Sequence, residues 1–162
     1  MTHQELWAAY QAACPEEYAA WDRANPDRVA EYEAWAYGDQ PDLLAELTRT
    51  GVKTATSSAA VWYAVGYEPM PEAGEYSIIL DSRDGAVCVT RTTKVYTVPF
   101  RAVTAEHAYK EGEGDRSLDY WRRVHEDFFR AELAEAGLEF TPDMQVVCEE
   151  FEVVFRPKEE TP

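Results

Sequence analysis

Apolar positions change their spacing along this chain, and the changes mark out its elements. From residue 1 to about 38 the aromatic residues recur at helical spacing. Trp7 with Tyr10, Tyr18 with Trp21 and Tyr32 with Trp35 are each three apart, which puts two rings on one helix face. Pro15 and Pro26 interrupt this stretch, so it predicts helices packed against the main body. The string Glu-Tyr-x-Ala-Trp occurs at Glu17 to Trp21 and again at Glu31 to Trp35, too few copies for a repeat array. Leu43, Leu44 and Leu47 predict an amphipathic helix over Pro41 to Thr50, which Gly51 stops. Ala59 to Val65 predicts a further helix, with Ser57 or Ser58 suited to cap its start.

From Glu75 the period shortens to that of strands. Glu75 to Leu80 and Ala86 to Val98 are β-like runs joined across Asp84-Gly85, a strong hairpin signal. Val87, Val89, Val95 and Val98 among threonines suit a pleated, half-buried surface. Gln145 to Phe155 predicts a last strand. Val103 to Lys110 is weakly helical, and Glu111 to Arg116 is an acidic, glycine-rich loop. Ser117 to about Ala136 predicts a strong helix stopped by Gly137, with Leu118, Trp121, Val124, His125, Phe128, Phe129 and Leu133 as its apolar stripe. Helices followed by strands with a long helix between them indicate an α+β domain, with a small barrel and helices over it as the expected arrangement. Residues 1–34 are expected as a helical N-terminal extension packed on a main domain of residues 35–156, with residues 157–162 as a disordered tail.

Composition narrows the function. A chain of 162 residues is long enough to bury a core without a disulfide or metal staple. Its three cysteines, Cys14, Cys88 and Cys148, have no metal-ligand spacing; Cys88 and Cys148 lie in apolar runs, where buried packing is expected. No apolar run reaches the length of a membrane helix, and the start lacks a secretory layout, so a cytoplasmic setting without membrane contact is expected. The formal net charge of -16 argues against broad nucleic-acid binding, which needs a basic face. Any RNA contact would run through a local pocket or one extruded base.

Candidate chemistry concentrates in two segments. In Gly51 to Ser58 one lysine and four hydroxyls follow a helix-ending glycine; Lys53 facing a helix N-terminus would form an anion site. In the acidic loop, Glu111, Glu113 and Asp115 offer oxygens to a hard divalent cation such as magnesium, although alternating Glu and Gly is more often a solvated turn, and Asp115 or Ser117 suits a helix cap. No cofactor is expected beyond that metal option. Of the rings, Trp62 is the better stacking candidate, while Trp121 and His125 belong to a core stripe. His107 would orient Glu111 or serve a local cap. Arg91 would meet a phosphate or, more in keeping with the excess of acids, a carboxylate.

With both segments in view, the chain resembles the ASCH family. The resemblance rests on Gly38-Asp39, on Gly51-x-Lys53-Thr54-Ala55-Thr56 followed by Trp62, and on Tyr76 to Leu80. It continues through Arg91-Thr92-Thr93, His107-Ala108, Glu111 to Leu118, Tyr120-Trp121, His125 and Phe128-Phe129, covering roughly residues 35 to 156. It implies a PUA-like small β-barrel with flanking helices, linked to RNA. Small family members are acetylcytidine amidohydrolases, and others are described as metal-dependent ribonucleases. By that resemblance Lys53, Thr56 and Glu111 are the expected catalytic residues. Lys53 would activate the Thr56 hydroxyl, polarise a carbonyl or stabilise charge on a phosphate. Glu111 would carry protons if its surroundings raise its pKa towards neutrality. Thr54, Ser57, Trp62, Tyr63, Arg91 and Ser117 are the expected substrate contacts, Tyr63 and Ser117 as hydroxyl-bearing counterparts. The expected function is binding of RNA or a modified nucleoside in a pocket with hydrolysis; the alternative is a non-catalytic RNA-binding module. A structural ion pair between Lys53 and Glu111 is the plainer reading of the same two residues.

Overall fold

The computed structural model describes residues 1–158, so the tail expected over 157–162 lies mostly outside the described residues. In chain order the elements are α1 (His3–Ala13), α2 (Pro15–Ala24), β1 (Glu33–Ala36), α3 (Pro41–Arg49), β2 (Ala55–Ala59) and α4 (Val61–Ala64). There follow β3 (Tyr76–Leu80), β4 (Ala86–Pro99), a 3₁₀ turn at Phe100–Ala102, α5 (Ala105–Glu111), α6 (Leu118–Glu135) and β5 (Gln145–Phe155). The strand order is β1-β3-β4-β5-β2, with β1 parallel to β3 and the pairs β3–β4 and β2–β5 antiparallel. The α+β class expected from the sequence is the class observed.

Local signals account for most boundaries. Thr2 and Glu5 close a capping box at the start of α1, and Pro15 and Pro41 open α2 and α3 where a missing N–H costs nothing. Gly51 ends the α3 segment at φ 80°. Two expectations fail. Residues 33–36, read as helix from the Tyr32/Trp35 spacing, form β1, because pairing with Ser77 to Leu80 overrides a marginal helical pattern. Ser57 and Ser58 do not cap a helix: they lie inside β2, whose residues Ala55 to Ala59 pair with Glu150 to Val146, and the helix begins only at Val61. The helix N-terminus expected directly after the Lys53 turn is therefore a strand instead.

The chain divides into two compact units, with β4 and β5 supplying residues to both. The first comprises Met1–Gly51, Gly74–Thr92 and the chain from Glu152. In it Leu6, Trp7, Tyr10 and Trp21 of α1 and α2 pack on Tyr76, Ile78, Leu80 and Val89. The Tyr10 and Tyr76 hydroxyls pair at 2.6 Å, and the Trp21 indole donates to the Gly74 carbonyl at 2.9 Å, so the rings are buried without orphaned polar atoms. The neighbouring pair Ile79 and Cys88 belongs to a second cluster with Tyr37, Leu44 and Ala45, so β3 is covered on both faces.

The second unit comprises Val52–Ala73 and Thr93–Phe151. Its core gathers Phe100, Trp121, Phe129, Leu133, Phe140, Val146 and Cys148. Ser117 caps α6 by accepting the Tyr120 N–H at 3.1 Å, and the stripe Trp121, Phe129 and Leu133 turns inward, leaving Phe128 at the surface. Because Phe129 is 0% exposed, Phe129→Ala should cost about 3–5 kcal/mol, read as a lower urea midpoint with an unchanged slope.

Candidate functional site

Three elements of the second unit bring the candidate residues together. Thr104 caps α5 by accepting the His107 N–H at 3.1 Å, and the helix ends on Glu111. Gly112 follows at φ 75°; a Cβ there would lie 2.5 Å from the Val52 carbonyl oxygen, so only glycine lets the chain turn against the segment carrying Lys53. Thr54 fastens that segment: its N–H donates to the Lys110 carbonyl at 2.7 Å, its hydroxyl to the same oxygen at 3.3 Å, and its carbonyl accepts from Phe151 at 3.0 Å. Arg116 closes the loop, its guanidinium 3.6 Å from the Tyr109 ring centre and donating to the Tyr109 and Val52 carbonyls.

At the centre lies the Glu111 carboxylate, 1% exposed. Its Oε1 receives Lys53 Nζ at 3.3 Å and faces His125 Nε2 at 3.4 Å. Its Oε2 receives Ser57 Oγ at 2.6 Å, His107 Nε2 at 2.7 Å and the Trp121 indole N–H. Lys53, also 1% exposed, spends its ammonium protons on Glu111 Oε1, the Glu111 carbonyl at 3.4 Å and Glu113 Oε2 at 3.0 Å. His125 stacks on Trp121 at 4.2 Å and donates Nδ1–H to the Trp121 carbonyl at 2.8 Å.

These contacts set the charges. Burial pushes the Glu111 carboxyl up, but the Lys53 ammonium, His125 and the His107 hydrogen bond together outweigh it and hold the group well below the ordinary carboxylate range. Burial likewise works against a charged His125, and the facing Glu111 carboxylate reverses that and raises its pKa above 6.5. Glu111 thus sits ionised among donors. The surroundings do the opposite of what a proton carrier near neutral pH requires.

A match to the ASCH domain covers residues 33–155. The chain belongs to the ASCH domain family. Its structure is similar to that of an ASCH domain from Lactobacillus crispatus JV V101, with a TM-score of 0.84 at 29% identity over 94% of each chain. It is also similar to a protein from Enterococcus faecalis V583, with a TM-score of 0.71 at 37% identity over 85% of each chain. No curated protein matches the chain.

Within this ASCH domain the expected site residues separate. Lys53, Ser57 and Glu111 meet, with Thr54 fastening the strand beside them. The hydroxyl on Glu111 belongs to Ser57; alternation along β2 turns the neighbouring Thr56 to the other face, where Ser58 also lies and pairs with Tyr63 at 2.7 Å. Trp62 is half-buried against the core and its indole donates to Glu132. Ser117 caps α6. Arg91 belongs to the first unit, 5.5 Å over the Tyr76 ring. Sequence reasoning placed His125 in a core stripe and left Glu113 to a solvated turn, yet both face Glu111 or Lys53. The i, i+4 spacings His107/Glu111 and Trp121/His125 were the available signal.

The metal option meets a physical objection. Among the described residues Glu111, Glu113 and His125 offer ligand atoms within 4.8 Å of one another, whereas Asp115 accepts the Ser117 N–H instead. The Lys53 ammonium already bridges both carboxylates, so a divalent cation would have to displace it. The set as it stands does not fit a resident metal.

Beside the cluster a cleft of about 220 Å³ is lined by Lys94, Tyr96, Thr104, Glu106, His107, Lys110 and Glu150. Only His107 is common to both. No described helix is long and apolar enough to cross a membrane.

Two outcomes follow for stability. Lys53→Met strands a buried carboxylate and should cost about 3–5 kcal/mol, measured by urea unfolding. His125 carries a raised folded pKa, so its charge stabilises fully below its ordinary value of 6.5 and the gain is lost as pH rises through the raised value. The stability difference between wild type and His125→Asn should therefore shrink as pH climbs from below 6.5 through the raised value.

Proposed function

We propose that this ASCH domain binds RNA or a modified nucleoside at Lys53 and hydrolyses it. The observation behind the reading is a lysine 1% exposed and held between two carboxylates, in a chain of net charge -16. A buried ion pair is weak as a stabilising device, so an ammonium kept at that depth points to chemistry. Glu113 is the outer partner, its side chain 18% exposed and carried on a loop between Gly112 and Gly114. An acyl oxygen or a phosphate oxygen of the substrate would take the place of the Glu113 carboxylate against Nζ. The ammonium would then meet charge developing on that oxygen, already oriented by Glu111. Glu111 acts as a fixed anion that positions Lys53, Ser57 and His125, and His125, which faces Glu111 through Nε2 and donates Nδ1–H to the Trp121 carbonyl, would supply a proton to a leaving group.

One observation favours the second reading, a module that binds RNA without cutting it. Glu111 is held ionised, which removes the proton carrier that the family resemblance implies. The two readings separate on turnover. Purified protein is incubated with acetylated cytidine and with single-stranded RNA, with and without magnesium, beside Lys53→Arg, which keeps the cation. Hydrolysis should occur in the wild type and fall about 100-fold in Lys53→Arg. Salt-sensitive binding without any product would establish the binding module instead, and undiminished turnover in the variant would remove Lys53 from the chemistry.

A further inference from the structure

The Lys53 ammonium lies closer to the loop carboxylate than to the buried one beneath it. Nζ is 3.0 Å from Glu113 Oε2 and 3.3 Å from Glu111 Oε1, although Glu113 is the partner that solvent reaches. His125 faces the same place from α6. One carboxylate oxygen each of Glu111 and Glu113 and a ring nitrogen of His125 lie within 4.8 Å of one another, and Glu113 adds to the pull that raises the His125 pKa. With His125 charged, Lys53 and His125 bring two positive charges and Glu111 one negative, so one positive charge is left over. A buried charge needs a partner, and the Glu113 carboxylate is the one that supplies it.

We infer that Glu113 is a tethered plug: its carboxylate fills, beside Lys53 and His125, a seat suited to one oxyanion, and the loop withdraws it when a phosphate group of the substrate arrives. A phosphate oxygen brings the negative charge that the departing carboxylate takes away, whereas an uncharged acyl oxygen leaves the surplus positive charge unmatched. The seat thereby selects phosphate over acyl. The loop is fixed at both ends. A Cβ at Gly112 would lie 2.5 Å from the Val52 carbonyl oxygen, and Arg116 donates to the Tyr109 and Val52 carbonyls. Between these anchors sits Gly114, at φ 60°. The half-buried Tyr120 ring rests on it, since a Cβ there would fall 2.4 Å from the ring's Cζ. Withdrawing Glu113 draws Gly114 from under that ring, so Tyr120 is the latch that keeps the plug in. The inference rests on the reading that substrate is taken at Lys53; it does not require that anything be hydrolysed.

The test uses inorganic phosphate, titrated calorimetrically into the full-length protein at constant ionic strength and at a pH below 6.5, where His125 is charged. A seat filled by its own plug in about nine molecules of ten binds about 10-fold more weakly than an open one. Glu113→Ala should therefore tighten phosphate binding about 10-fold and should make phosphate shift the His125 ring resonances in NMR spectra. Tyr120→Ala, which frees Gly114 but keeps the carboxylate, should tighten binding by less. Asp119→Asn removes an equal charge from the exposed first turn of α6 and should change nothing. Unchanged or undetectable binding in Glu113→Ala overturns the plug. Equal tightening in Asp119→Asn, or binding that leaves the His125 resonances unmoved, overturns it as well. Should Glu113→Ala not fold, Tyr120→Ala decides: tighter binding supports the plug and an unchanged affinity overturns it. Tightening in a protein that turns over no substrate would defeat the hydrolase reading alone. Turnover that depends on Lys53, in a protein whose phosphate affinity ignores Glu113, would defeat the plug alone.

Discussion

Glu111 carries its negative charge where water cannot reach it, a placement that costs several kcal/mol unless donors replace the lost hydration. Five groups supply them: Lys53 and Ser57 from β2 and its approach, His107 from α5, and Trp121 and His125 from α6. Each satisfies the carboxylate only if its own element is correctly placed. The carboxylate consequently fixes how β2, α5 and α6 meet in the second unit. Gly112 and the Thr54 hydrogen bonds are consequences of the same demand, since Glu111 can reach β2 only if the chain turns hard immediately after it.

That saturation also shapes the chemistry open to this ASCH domain. A carboxylate with this many donors is a poor titrating group and a good fixed charge, so it contributes orientation and field rather than protons. The ammonium it holds is an inward positive charge in a strongly acidic chain, and its outer partner, Glu113, is more accessible to solvent than Lys53 or Glu111. A local, pocket-sized contact with an anionic or carbonyl-bearing group is compatible with such a surface; a long polyanion lying across it is not.

Much of the architecture was legible because long periodic segments carry redundant signals. β5 matches its expected bounds, and α3, β3, β4 and α6 each lie within a residue or two of theirs. Caps and glycines did the rest, as Ser117 and Gly51 illustrate. The failures are the short strands. Residues 33–36 and 55–59 form β1 and β2, and their state is decided by a partner strand distant in sequence. The error at β2 also carried over to chemistry: reading Ser57 as a helix cap concealed that it shares a strand face leading to Glu111, while Thr56 points the other way.

The sequence by itself determined the class of the domain, the positions of its long elements and the pairing of Lys53 with Glu111 as the residues to watch, since composition, period and family resemblance are properties of the chain. Only the tertiary structure decided that the pair is buried, that Glu111 is held ionised, and that Ser57, His107, Glu113 and His125 close around it. Burial and donor count depend on where separate segments meet, and a charge in a dry interior responds to neighbours that the linear order leaves dozens of residues apart.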